Sequence, residues 1–140
     1  MTNSLRLQAR SDAPIVCDMS AAEDTPDERL REYGRLFASA LLRRERGADG
    51  VTFSFRADPG TREAVEDLAR REAACCPFLD HRVETAGGEL VWTTTTTVRG
   101  EERAAVDVIL DAFHALPDHP RVRLRGVSQG GDRSAPRTSS

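Results

Sequence analysis

The side chains of this chain that are best suited to chemistry are its three cysteines. Two of them, Cys75 and Cys76, are adjacent and stand directly before Pro77, and the third, Cys17, lies in the segment APIVCDMS. Three sulfurs suit trigonal binding of a soft metal or metalloid ion, or three of the four positions of a zinc site. We therefore take Cys17, Cys75 and Cys76 as candidate ligands of a zinc, copper, mercury or arsenic ion, which the protein would sense, sequester or transfer.

Glu72 stands on the face of a predicted helix that should point toward the core. Val65, Leu68 and Ala69 define this face, and helical spacing extends it to Glu72 and then to the thiols. A buried carboxylate is costly unless it is paired, hydrogen-bonded, protonated or bound to a ligand. We therefore expect Glu72 to belong to the site. It would complete a zinc shell, with His81 as the other candidate ligand, or act as the catalytic general base if the protein is an enzyme.

Pro77 predicts where this helix ends. A residue before proline is pushed out of the helical region, so Cys76 should be extended and the two sulfurs should be able to approach one point. Adjacent α-carbons lie ~3.8 Å apart, whereas ordinary disulfides need roughly 4.4–6.8 Å. An ordinary disulfide between Cys75 and Cys76 is therefore disfavoured, and a strained vicinal one would act as a redox switch.

Two alternatives to metal binding stay open for the same residues. The protein could be a small cysteine-dependent enzyme or thiol redox protein that uses Cys75 or Cys76. It could also be an interaction module whose cysteines are inert and buried. The helix macrodipole and Glu72 disfavour a reactive thiolate at the pair, and Arg71 and His81 could offset them only in part. The local field favours a ligand over a nucleophile, with a metal ion or a small thiol-reactive molecule as the partner.

Composition excludes several other classes of function. The formal net charge of -3 gives no argument for binding nucleic acid or an anionic membrane. The chain contains no lysine, so Schiff-base chemistry has no residue to use. No stretch approaches the ~20 apolar residues of a membrane span, and the N-terminus has no apolar signal core. We expect a cytoplasmic protein, in which a cysteine pair is more often a metal or redox site than a staple.

Periodicity predicts the elements that position these residues. Thr25, Pro26 and Glu28 form a capping box with proline at the first helical position, which predicts a helix that runs to Gly47. Its arginines, including Arg29, are expected on the wet face. Further predicted elements are a strand at 51–56, a helix at 60–76, a hairpin around Gly87-Gly88, a helix near 101–116 and a short final strand at 121–127.

This order predicts one α+β domain over 14–127, with polar disordered tails at 1–13 and 128–140. Helices should pack on one face of a small antiparallel sheet. The ferredoxin-like order βαββαβ is the favoured topology, with an extra helix at the N-terminus. Tyr33 and Trp92 are expected to pack in the core rather than to stack on a ligand.

The segments IVCDMS, VTFSFRADPG and LARREAACCPFLDHRVE together resemble a family of small uncharacterised bacterial proteins marked by an E-x-x-C-C-P-F-L motif. The similarity covers roughly residues 15–115, and Cys17 matches the early cysteine of that pattern. Related segments are associated with metal-responsive regulators of the MerR type. The resemblance implies a cysteine site without naming its ligand. The chain departs from the pattern at TTTTTVRGEER, where relatives have a Gly-Pro type turn before the last helix.

Overall fold

The computed structural model describes residues 4–10 and 12–123, and within them the chain is an α+β protein. Helices α1, α2 and α3 span Pro26–Ala40, Thr61–Cys75 and Arg103–His114. The strands β1 to β5 span Ser4–Leu7, Leu41–Arg46, Gly50–Arg56, Asp80–Ala86 and Glu89–Thr95. Short 3-10 turns at Gly100–Glu102 and Leu116–Asp118 flank α3. The predicted fold class is confirmed.

The described strands form one antiparallel sheet in the order β1-β4-β5-β3-β2. The run β3-α2-β4-β5-α3 follows the predicted order of strand, helix, two strands and helix. The complete ferredoxin-like order is not confirmed. In that order a strand after the last helix would lie beside β3, whereas here β2, which precedes β3 in the chain, pairs with it. At the opposite edge, β1 pairs with β4.

Helix α1 begins as predicted and ends earlier than predicted. The Thr25 hydroxyl accepts a hydrogen bond from the Glu28 N–H, and the Glu28 carboxylate accepts one from the Thr25 N–H. The predicted extension to Gly47 is wrong, because α1 ends at Ala40. Leucine, arginine and glutamate favour helices locally. Pairing with the apolar strand β3 overrides that preference over Leu41–Arg46, since β2 satisfies the backbone groups along that edge of β3.

The segments on either side of the cysteine pair form as predicted. Helix α2 ends at Cys75, and Cys76 leaves the helical conformation with φ -124 and ψ 72, as a residue before proline should. The hairpin between β4 and β5 turns at Gly87 and Gly88, whose φ values are 60 and 80. Both residues of such a two-residue turn need positive φ, which glycine adopts without steric cost.

The predicted disorder of the N-terminal tail is wrong for its described part. Ser4–Leu7 forms β1, with Leu5 opposite Val83 and Leu7 opposite His81. The two leucines pack against the core, and this short alternation was the only signal of a strand in a polar segment. The chain therefore passes along the edge of the sheet before it reaches Cys17.

The end of the chain differs from the predicted final strand. Arg121–Arg123 are helical, and the Arg123 N–H donates to the His119 carbonyl at 2.8 Å. Pro120 stands at the first helical position, where its fixed φ suits a helix. Residues 124–127 and the predicted tail at 128–140 lie outside the described residues. None of the described helices is long and apolar enough to cross a membrane.

The core lies between the helices and one face of the sheet. Val83, Trp92 and Phe53 stand opposite one another on β4, β5 and β3 and are completely buried. Tyr33 and Trp92 pack as expected, with their ring centroids 6.3 Å apart. The helices thus cover one face of the sheet. Cys75 and Cys76 lie at the C-terminal end of α2, within this helix layer.

Candidate thiol–disulfide site

The structure joins Cys17 to Cys76 in a disulfide, with their α-carbons 4.4 Å apart. The bond links residues separated by 59 positions, so it is neither the vicinal pair considered from the sequence nor a local staple. Cys76 is buried, whereas Cys17 is exposed. Of the three cysteines, Cys75 is the free one, and it is buried. The fold therefore brings the early cysteine to the predicted pair.

Backbone hydrogen bonds hold the Cys17 segment against the end of α2. The Asp18 N–H donates to the Cys75 carbonyl at 2.9 Å, and the Arg10 N–H donates to the Pro77 carbonyl at 2.9 Å. The Ala9 N–H also donates to the Asp80 carboxylate at 2.7 Å. These contacts hold the segment around Cys17 against the end of α2 in addition to the sulfur–sulfur bond.

Arg29 is the cation nearest to the free thiol. Its Nη1 lies 3.4 Å from Cys75 Sγ and 3.6 Å from Glu72 Oε2. The arginine is 4 % exposed, so the prediction that it belongs to the wet face of α1 is wrong. Arg71, which the sequence offered as the cationic neighbour, instead binds Asp24, Glu32 and Asp67.

Two carboxylates neutralise the Arg29 guanidinium. Asp24 accepts hydrogen bonds from Nε at 2.8 Å and from Nη2 at 2.7 Å. The hydrogen bonds from Arg29 lower the pKa of Asp24 to about 2. The hydrogen bonds to Asp24, and to a lesser extent the contacts with Cys75 and Glu72, raise the pKa of Arg29, so the guanidinium stays charged. The result is a desolvated charge with close partners on two sides, which is the condition under which a buried ion is tolerated.

Glu72 lies beside Arg29, and 18 % of its side chain is exposed. Tyr33 donates its hydroxyl proton to Glu72 Oε2 at 2.6 Å. Burial raises the pKa of Glu72, while the Tyr33 hydroxyl and Arg29 act in the opposite direction. Burial and the nearby carboxylate raise the pKa of Tyr33 well above its ordinary value, so the phenol remains the donor. The carboxylate is thus engaged by a phenol and a guanidinium.

His81 is 3 % exposed and faces the same region from β4. Its Nδ1 lies 3.1 Å from Trp92 Nε1 and 3.0 Å from Thr94 Oγ1. Burial lowers the pKa of His81 to about 4, so the ring is neutral at physiological pH. An indole N–H can only donate, so Nδ1 carries the lone pair and the proton sits on Nε2. In this tautomer His81 presents a donor and no free lone pair for a metal.

One cavity connects all the predicted site residues. It has a volume of ≈ 500 Å³, and its walls include Cys17, Glu72, Cys75, Cys76 and His81. Arg29, Tyr33 and Thr94 also contribute polar groups to its wall. Among the described residues, no group of three or more His, Cys, Asp and Glu side chains is arranged to hold a metal ion. Two of the sulfurs are bonded to each other in this state.

Arg29, Asp24 and Tyr33 are the site residues that sequence reasoning did not assign. A signal for Arg29 was present, since it lies one turn before Tyr33 on the buried stripe of α1. Its position there matches that of Glu72 on α2, where a charge on an inward face pointed to the site. Asp24 lies just before the helix cap, and only the three-dimensional arrangement shows that it pairs with Arg29.

Comparison with models of known protein families, with curated proteins and with solved structures finds no match for this chain. The resemblance to proteins with the E-x-x-C-C-P-F-L motif therefore stays a prediction.

Proposed function

We propose that this chain is a thiol–disulfide redox protein whose redox couple is Cys17 and Cys76. The observation that carries the proposal is the bond between exposed Cys17 and buried Cys76, next to the free thiol of Cys75. Two cysteines of unequal exposure suit an exchange reaction, because one sulfur is accessible to an incoming thiol and the other is held in the protein.

The exchange begins at Cys17. The thiolate of a small thiol attacks Cys17 Sγ and forms a mixed disulfide, while the sulfur–sulfur bond breaks and Cys76 leaves as a thiolate that takes up a proton. A second molecule of the small thiol attacks the mixed disulfide and releases Cys17. In sum, two small thiols are oxidised to one disulfide, and the protein disulfide is reduced to two thiols. The reverse sequence oxidises the protein.

The backbone around the pair favours repeated cycles. The hydrogen bonds from Asp18 to Cys75 and from Arg10 to Pro77 involve no sulfur, so breaking the disulfide removes none of their atoms, and we expect them to persist. The reduced thiols would stay adjacent and re-form the same bond. We further propose that the protein acts in the cytoplasm, where disulfides are typically transient and serve catalysis or redox sensing.

Trapping with oxidised glutathione tests where exchange occurs. In Cys76→Ser, made in a Cys75→Ser background, we expect glutathione to add rapidly to Cys17, because that sulfur is exposed and has lost its partner. In the matched variant Cys17→Ser, also with Cys75→Ser, addition to buried Cys76 should be at least ~10-fold slower, since exchange depends on access. Mass spectrometry of quenched samples measures both rates.

Equal rates in the two variants, or the absence of any adduct on Cys17, would contradict the proposed site of attack. Circular dichroism of both variants controls for unfolding, which would expose Cys76.

A second candidate function is binding of a soft ion by the reduced protein. The observation that favours it is that all three sulfurs line one cavity. Reduction would free Cys17 and Cys76 beside Cys75, which gives the trigonal thiolate set predicted from the sequence. Glu72 lies at the same cavity, whereas His81 would first have to release its Nε2 proton. The disulfide form would lack two of the ligands, so metal binding would depend on redox state.

Titration with Cd²⁺ tests this candidate. We expect the reduced protein to bind one ion with thiolate-to-cadmium charge-transfer absorption, and the oxidised protein to lack that band. Cys75→Ser should weaken binding. Binding that is equal in both redox states, or unaffected by Cys75→Ser, would exclude a three-sulfur site.

A further inference from the structure

The cavity beside the disulfide is larger than a soft ion needs. Its ≈ 500 Å³ falls within the roughly 300–1,000 Å³ of small-molecule sites, and much of its wall is apolar. The apolar part of the wall includes Met19, Leu30, Leu79, Ile109, Ala112 and Phe113. A single metal ion bound by the sulfurs would leave this apolar surface uncovered.

His81 supplies an unused hydrogen-bond donor at this cavity. Trp92 and Thr94 occupy Nδ1, and the indole N–H fixes the ring proton on Nε2. Nε2 is buried and has no hydrogen-bond partner among the described residues. A buried donor without a partner costs free energy comparable to a lost hydrogen bond. The ring that carries it lines the cavity, while Nε2 itself is covered by its neighbours. A small side-chain shift on ligand binding would open Nε2 to a bound molecule.

The charged groups at the cavity are already neutralised within the protein. Arg29 pairs with Asp24 and with Glu72, and Tyr33 donates to the same glutamate. Neither the guanidinium nor the carboxylate therefore needs an ionic ligand. The wall presents apolar carbons and balanced charges, and one of its residues, His81, holds a buried N–H donor that has no partner among the described residues.

We propose that the cavity binds a neutral, largely apolar small molecule whose carbonyl-type oxygen accepts a hydrogen bond from His81 Nε2–H. The apolar wall provides the driving force through burial of the ligand, and the single donor selects molecules that carry an acceptor. This binding does not depend on disulfide exchange, since neither sulfur of the couple contributes the hydrogen bond. The two proposals can therefore fail separately.

A matched pair of probes tests the acceptor directly. Benzophenone and diphenylmethane have the same two rings, which are joined by a carbonyl group in benzophenone and by a methylene group in diphenylmethane. We expect benzophenone to bind about tenfold more tightly, which corresponds to one net hydrogen bond at a buried donor. Isothermal titration calorimetry measures both affinities, and ¹⁵N resonances of the His81 ring report whether Nε2–H is the donor.

Two pairs of variants locate the site. His81→Met removes the donor and should reduce the benzophenone preference to about onefold, whereas His81→Gln, whose amide can donate, should restore part of it. Ala112→Phe adds bulk at the cavity wall and should weaken both probes, while Val108→Phe, on the exposed side of the same helix, should not.

Equal affinities of the two probes for the unsubstituted protein would overturn the proposal, as would the absence of binding by either. This comparison needs no folded variant. Adding His81→Met to the protein with Cys75→Ser and Cys76→Ser separates the two proposals, because glutathione should still add to Cys17 when the donor has been removed.

Discussion

The helix layer buries two regions of opposite character against the same sheet. One is an aromatic cluster in which Phe113 lies 5.2 Å from Phe53 and 5.4 Å from Trp92 between ring centroids. The other is the sulfur site, in which buried Arg29, the buried free thiol of Cys75, a neutral histidine and the disulfide with its exposed Cys17 end surround a cavity. Apolar contacts alone fill the first region, whereas the second leaves space and retains polar groups that each need a partner.

Tyr33 belongs to both regions and shows how they join. Its ring centroid lies 5.4 Å from that of Phe37, and its hydroxyl donates a hydrogen bond to Glu72 at 2.6 Å. Arg29 lies one turn before this tyrosine on the same buried face of α1. This one helix face therefore makes polar contacts in the sulfur site at Arg29 and aromatic contacts in the cluster at Tyr33. Burial of polar groups costs free energy that packing would not incur. Their presence at one end of the core is what we expect of a site kept for binding or chemistry.

Among the changes that separate the two regions, removal of the Arg29 charge should lower the free energy of unfolding most. Arg29→Met removes the partner that Asp24 and Glu72 share, although Asp24 keeps Arg71 and Glu72 keeps the Tyr33 hydroxyl. We therefore expect a loss of about 3 kcal/mol, the lower end of the cost of breaking a buried ion pair. The control Arg31→Met lies on an exposed pair of the same helix and should change stability by less than ~0.5 kcal/mol. Urea denaturation measures both. Similar losses in the two variants would show that the buried network does not stabilise the fold.

Reduction of the disulfide should have the next largest effect. The bond closes a loop between residues 59 positions apart, and loss of such a link typically costs about 2–4 kcal/mol. Denaturation with and without dithiothreitol measures the difference. Dithiothreitol should have no effect on a variant with Cys17→Ser and Cys76→Ser together. A dithiothreitol effect that persists in this variant would mean that another bond is being reduced.

Acid should destabilise the sulfur site through His81. Its pKa is lowered from 6.5 to about 4, so between these values the unfolded chain binds a proton that the folded chain does not. Stability should therefore fall as pH drops from 6.5 to 4, by up to about 3 kcal/mol. Asp24 adds a loss only between pH 3.8 and about 2. Glu72 has a raised pKa, so the folded chain holds its proton more tightly than the unfolded chain does. Its contribution to the free energy of unfolding is therefore lost as pH rises.

Subtraction of the His81→Gln profile isolates the histidine, because the Asp24 and Glu72 contributions are common to both proteins. A difference between the two profiles that stays flat from pH 6.5 to 4 would contradict a buried neutral ring. Urea denaturation at several pH values supplies the profiles.

Tyr33→Phe should have the smallest effect and separates the two regions most finely. The ring stays in the aromatic cluster, while Glu72 loses its phenol donor, which costs about 1–3 kcal/mol. The loss should be greater at neutral pH than in acid, where Glu72 is protonated. The control Phe37→Leu removes only packing and should cost the same at both pH values. If the stability loss of Tyr33→Phe depended on pH no more than that of Phe37→Leu, the hydroxyl would not be the donor to ionised Glu72.

Local patterns predicted the elements whose signals lie in a few neighbouring residues. The capping box, the glycine turn and the proline after Cys76 each act through their own backbone, so α1 began and α2 ended where the sequence indicated. The misassigned segments depend on distant partners. Leu41–Arg46 is helical by propensity and becomes a strand because β3 offers an edge, and Ser4–Leu7 is ordered only by pairing with β4.

The site shows the same division. Glu72, Cys75 and Cys76 were predicted from one helix face and its end, and they lie at one cavity with Cys17 and His81. The pairing of Cys17 with Cys76 could not be predicted, because it depends on the path of the N-terminal segment along β4. The link between Arg29 and Cys75 depends on the packing of α1 against α2, which no local pattern contains.

The central claim is that Cys17 and Cys76 form a reversible redox couple, and a redox titration tests it most directly. The protein is equilibrated with mixtures of reduced and oxidised glutathione, its thiols are alkylated, and each cysteine is quantified by mass spectrometry. We predict that Cys17 and Cys76 convert together in one two-electron transition above about -300 mV while Cys75 stays reduced. A midpoint reduction potential of the Cys17–Cys76 pair below about -300 mV, or a disulfide that includes Cys75, would contradict the claim.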